Sequence, residues 1–65
     1  ALRAWRAEVA RAHEVPAYNI FHDSTLYEIV QRRPRTLEEL SAVNGVGIRK
    51  LEAYGEAILQ QVAQT

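Results

Sequence analysis

Three interruptions limit what this chain can become. Val15-Pro16, Arg33-Pro34 and Asn44-Gly45-Val46-Gly47 divide it into short stretches, most with an apolar period of their own. In the first, Leu2, Trp5, Val9 and Ala12 recur at steps of three and four, with Arg3, Arg6, Glu8 and Arg11 between them. That spacing predicts an amphipathic helix ending near Glu14, because Val15 precedes a proline and is pushed out of the helical region. The link Val15–Phe21 is apolar but Pro-marked. Residues 22–25, a cluster of N-cap types, precede Leu26, Ile29 and Val30 at helical spacing. Thr25 with Glu28 has capping-box spacing, and Asp23 is an alternative cap. Pro34 ends this helix near Arg33.

Thr36-Leu37-Glu38-Glu39 has the T-x-x-E pattern of a capping box, with Leu37 and Leu40 expected to face inward. The glycine turn stops that helix within two turns. The last helix carries Ile48, Leu51, Tyr54, Ile58, Leu59 and Val62 as an inward stripe of about four turns. Gly55 lies within it and costs roughly 1 kcal/mol against Ala, which implies close approach of a neighbouring helix. No strand pair with a hairpin turn is visible, so the chain reads as all-α.

Composition narrows the function. At 65 residues with no cysteine, stability must come from packing in one small domain, residues 1–65, with little room for a catalytic cleft. Without an initiator Met the chain reads as a module of something larger. No apolar run approaches the roughly 20 residues that span a bilayer. The residues for catalysis are missing: one Asp, no His-Glu-x-x-His, no Gly-x-Ser-x-Gly and no Cys. No catalytic residue, metal ligand or cofactor is therefore assigned. His13 and His22 are expected to make caps or solvent contacts at helix ends.

The segment Leu40–Leu51 has the form of a helix-hairpin-helix. One glycine must take positive φ to reverse the chain, and the other leaves backbone amides open at the next helix start. Such amides, with the positive end of the helix dipole, hold phosphate oxygens. Gly45 and Gly47 also fit a simple tight corner that binds nothing, and both readings stay open. Arg49 and Lys50 occupy the first turn of the last helix, where the dipole disfavours cations by a few tenths to 1 kcal/mol. Cations misplaced for stability are candidates for contact with an anion. Arg32 and Arg33 stand at a helix C-terminus, where the dipole favours them, and Arg35 extends the cluster. The net charge of +0 is a sum of opposed regions: basic up to residue 35, acidic from residue 36 on except at that helix start. Trp5 and Tyr54 fall on inward stripes, and Phe21 anchors the link. Tyr18 follows Pro16-Ala17, where it either lids the core or lies exposed for stacking on an unpaired base, an interaction worth about 1–3 kcal/mol per base.

The blocks Pro16–Leu26, Pro34–Leu40, Val43–Leu51 and Tyr54-Gly55, in that order, resemble the HRDC domain, an accessory module of RecQ-type DNA helicases and of the ribonuclease D family. The flavour of Tyr-x-Ile-Phe-x-Asp-x-Thr-Leu and Val-Asn-Gly-Val-Gly-x-x-Lys-Leu is most similar to bacterial RecQ. The resemblance implies a compact bundle of about five short helices, with a helical turn inside Pro16–Asn19. It also implies a non-catalytic role in nucleic-acid binding that tunes which structures a helicase engages, in the cytoplasm and at the nucleoid. The glycines and Lys50 carry over to the hairpin motif, and Tyr18 to a loop aromatic near the binding patch.

The leading expectation is weak binding of single-stranded or junction DNA. Arg49, Lys50 and the amides around Gly45 and Gly47 would take phosphates, Tyr18 would stack, and Arg32, Arg33 and Arg35 would attract at longer range. The alternatives are a module that docks on another protein or on the helicase core of its own chain, and an RNA-contacting domain of a ribonuclease D-like exonuclease.

Overall fold

The computed structural model describes residues 2–64, which form five helices: α1 (Leu2–His13), α2 (Ala17–Ile20), α3 (Asp23–Arg32), α4 (Leu37–Ser41) and α5 (Ile48–Ala63). No strand occurs among the described residues. The single helical turn α2, implied by the family resemblance and invisible to periodicity, lies within the Pro-marked link.

Local chemistry sets the helix ends. α1 stops where expected: Glu14 takes φ 56°, and the Val15 N–H donates back to the Ala10 carbonyl at 3.0 Å. A six-residue closure of this kind satisfies the last carbonyls of a helix. Arg33 ends α3 in the same left-handed conformation, φ 49°, with Pro34 behind it. Thr36 caps α4, its Oγ1 accepting from the Glu39 N–H at 3.1 Å. The returning arm of the box falls one residue early, on the Arg35 N–H, 2.8 Å from Glu39 Oε1. Thr25 is no cap. α3 begins at Asp23, so Thr25 lies inside its first turn, buried, and its hydroxyl donates to the Asn44 carbonyl at 3.3 Å.

Ile29, Leu40 and Ile58, from α3, α4 and α5, are fully buried and centre the core. Trp5, Phe21 and Tyr54 add an aromatic triangle with centroids 5.7–6.3 Å apart. Gly55 is buried because α4 crosses it: a Cβ there would meet Leu37 Cδ2 at 2.6 Å.

Five positions depart from the periodic reading. Ile48 is 75% exposed, although the α5 stripe placed it inward. It stands at the first position of the helix, beyond the last residue the core can cover. Ala12 and Val30 are exposed for the same kind of reason, near the ends of α1 and α3. Leu37 is partly exposed, because α4 is short and only its far methyl reaches Gly55. Conversely Arg6, assigned to the solvent face, is buried.

Candidate nucleic-acid interface

The hairpin turn reverses the chain at Gly45, whose φ of 96° is open to glycine and costly for other residues. Thr25 closes the turn from behind, so close that a Cβ on Gly45 would strike its hydroxyl. Gly47 has ordinary extended backbone, φ −83° and ψ 174°, and nothing lies within 4 Å of where its Cβ would be. It is the N-cap of α5 and supplies no capping side chain, which leaves the helix start open on that side. Of the two glycines, one makes the turn and the other keeps its surface clear.

Next to this turn stands α2. A shallow depression is lined by Tyr18, Asn19, His22, Gly45 and Lys50, so the structure brings the loop aromatic, the turning glycine and the hairpin lysine together. Tyr18 is 62% exposed and is therefore no lid over the core. Its ring lies nearly parallel to that of His22, at 18° with centroids 6.4 Å apart. Arg49 is exposed on the first turn of α5.

Lys50 is half-buried and turned toward α2. Its ammonium donates to the carbonyls of Asn19 and Ile20, each at 2.5 Å, and stands 5.2 Å from the centre of the Phe21 ring. The cation that the α5 dipole disfavours is thus balanced by the carbonyl end of another helical turn. From the opposite side Arg6 of α1 donates to the next carbonyl, that of Phe21, at 2.8 Å, and pairs with Asp23 at 2.8 Å. Two cations from two different helices therefore hold three successive carbonyls, 19 to 21. The Arg6 guanidinium holds the Asp23 carboxyl below its usual value, first through its hydrogen bond and then through its charge, with Arg3 at 3.7 Å adding to it. The Arg6 Nε is buried without a hydrogen-bond partner.

The three other arginines expected at the site lie elsewhere. Arg32, Arg33 and Arg35 rim a second depression, floored by Pro34, Leu59, Val62 and Ala63. That floor belongs to the C-terminal end of α5, whereas Lys50 is at its start. At 1.5 Å per residue, positions 50 and 62 are about 18 Å apart along the helix, in a molecule 29 × 24 × 19 Å across. Arg32 also pairs with Glu28 one turn back, at 2.9 Å. The residues expected to act together thus form two clusters at opposite ends of one helix.

Two residues at the first cluster gave no sign of belonging there. His22 had the look of a helix-end cap, yet its side chain makes no cap bond and stacks on Tyr18. Arg6 sits four residues after Leu2 and three before Val9, the spacing that marks a buried position for an apolar residue. Its charge concealed it. Among the described residues no group of three potential ligands is placed to hold a metal ion, and no helix is long and apolar enough to cross a membrane.

Known proteins share this fold. The HRDC domain profile matches residues 1–62. The chain is 40% identical over 63 residues to the ATP-dependent DNA helicase RecQ of Pasteurella multocida, covering 97% of the chain and 10% of the relative. It is 44% identical over 61 residues to the ATP-dependent DNA helicase UvrD2 of Mycobacterium tuberculosis, covering 94% of the chain and 9% of the relative. The chain thus spans about a tenth of the length of these relatives. Among solved structures, "D. radiodurans RecQ HRDC domain 3" superposes with a TM-score of 0.93 at 40% identity, covering 97% of this chain and 83% of that one. Fold, turn and sequence agree: the chain belongs to the HRDC domain family, an accessory domain of RecQ-type helicases.

Proposed function

We propose that this domain binds single-stranded or partly unwound DNA weakly and tunes which substrates its parent engages, the parent being an ATP-dependent DNA helicase acting at the nucleoid. The observation that carries this reading is the exposed Tyr18 ring beside the open start of α5. A base stacked on Tyr18 leaves its backbone near Arg49 and the amides that follow Gly47. The charge of Lys50 adds to the local field, and Arg32, Arg33 and Arg35 attract the strand at longer range from the far end of α5. With two to four phosphates neutralised, the log–log salt slope is only about −1.5 to −3. Weak binding is useful in a tethered domain, because attachment to a helicase raises its effective concentration to about millimolar.

NMR shift mapping with labelled single-stranded DNA tests the reading. Shifts at Tyr18 and residues 45–50, with smaller ones at 32–35, are expected at low salt. Shifts confined to other surfaces, or none, would sink it.

A second reading, docking on another protein or on another part of the parent chain, is favoured by a different surface. Tyr27 and Val30 are exposed and line a shallow apolar depression with Leu2 and Leu26. Under that reading Tyr27→Ala changes the activity of the intact parent while DNA binding by the domain is unaltered.

A further inference from the structure

We propose that Lys50 acts as a positioning residue, pinning α2 so that Tyr18 and His22 together present a two-ring stacking ledge to an unpaired base. This rests on the DNA-binding reading above and reassigns two of its parts: Lys50 moves from phosphate contact to support, and His22 enters the binding surface.

The argument begins with the ammonium. A lysine that takes phosphate needs its N–H groups directed outward, yet two of the three are spent on the carbonyls of Asn19 and Ile20. The charge also faces the Phe21 ring, itself buried. A four-residue helix has too few internal hydrogen bonds to hold its own shape. Its geometry must come from outside, and Lys50 and Arg6 supply it from two sides. Tyr18 and His22 flank the clamped carbonyls, so the clamp sets the relation between their rings. Because the rings are parallel to within 18°, a base lying on Tyr18 is aligned with His22 as well, and the stack continues beyond one ring. Aromatic pairs in this range of separations are mutually attractive, which keeps the two together.

The test uses the whole chain and a short oligothymidine carrying one fluorescent purine analogue, whose quenching reports stacking. Lys50→Met is expected to weaken binding about five- to tenfold, the scale of one lost stacked base, and to reduce quenching. Its salt slope should equal that of the unsubstituted chain, and the Tyr18 and His22 ring resonances should move in the DNA-free protein. His22→Ala should weaken binding about threefold, with rescue by His22→Phe. A slope that falls by about 0.7 with unmoved ring resonances would make Lys50 a phosphate ligand and overturn the proposal while DNA binding stands. Should Lys50→Met fail to fold, the histidine pair decides: equal affinity for His22→Ala and the parent sequence overturns the ledge. No binding by the unsubstituted chain at low salt overturns the DNA reading itself, and the ledge with it; the ring resonances of Lys50→Met then still show whether the clamp exists.

Discussion

The two ends of α5 use their basic residues in opposite ways. At the start, Lys50 is drawn into the fold, and with Arg6 it holds the turn beneath Tyr18. At the other end, Arg32, Arg33 and Arg35 stand exposed around a depression, Arg32 paired with Glu28 on its own helix. A basic residue near a turn is thus either structure or surface, and composition treats both alike. The difference teaches that the hairpin end is a built platform and the arginine end a field. Substitutions should therefore cost stability at the first and affect mainly salt-dependent binding at the second.

The strongest way to break this contrast lies in the glycines. Gly45→Ala combines positive φ with a clash against Thr25, and should destabilise by about 2–4 kcal/mol in urea denaturation. Gly47→Ala, with free space and ordinary backbone, should stay within about 0.5 kcal/mol. Equal effects would show that the turn is not held as described. Arg6→Met comes next: it strands the Phe21 carbonyl and takes from Asp23 its nearer cation, for an expected loss of about 2 kcal/mol. A loss that small surface substitutions also produce would remove Arg6 from the clamp.

At the arginine end the expected sign reverses. Arg33 occupies a left-handed position where glycine carries no Cβ penalty, so Arg33→Gly should stabilise the fold by about 0.5–1 kcal/mol while weakening DNA attraction. Stability and affinity moving in the same direction would contradict the division. Arg35→Ala should leave the melting temperature unchanged and lower the salt slope by at most about 0.7.

The smallest effect is in acid. Asp23 has its folded-state pKa lowered, chiefly by Arg6. Its contribution is present above the unfolded value, near 3.8, and is lost as pH falls through the lower folded value. Asp23→Asn should therefore flatten the fall in melting temperature below about pH 4 and lower stability at neutral pH. An unchanged acid limb would mean that the Arg6–Asp23 pair adds nothing to the clamp.

Much of the fold was legible because its signals are local. Pro16 and Pro34 act through the residues just before them, Thr36 and Glu39 through one turn of backbone, and Gly45 through its own φ. Leu2, Trp5 and Val9, or Tyr54, Ile58 and Val62, repeat at helical spacing because a helix face is defined by its own period. Exposed positions were misread where a period runs past the core, at Ile48, Ala12 and Val30, since periodicity carries no information on where covering ends. Arg6 was misread as exposed because of its charge. The site was legible in part. Tyr18, Gly45 and Lys50 do meet at one depression, but the arginine cluster lies at the far end of α5, and no spacing in the chain encodes that distance.

By itself, then, the sequence determined the breaks, the helices between them, the reversing glycine and the membership of a family of helicase accessory domains. Only the tertiary structure decided what the charges do. Whether a lysine meets a phosphate or a carbonyl depends on what stands opposite it, and here the groups opposite are thirty residues away in the chain, on α2. The same holds for His22, whose ring lies beside that of Tyr18, a pairing that no spacing in the chain announces.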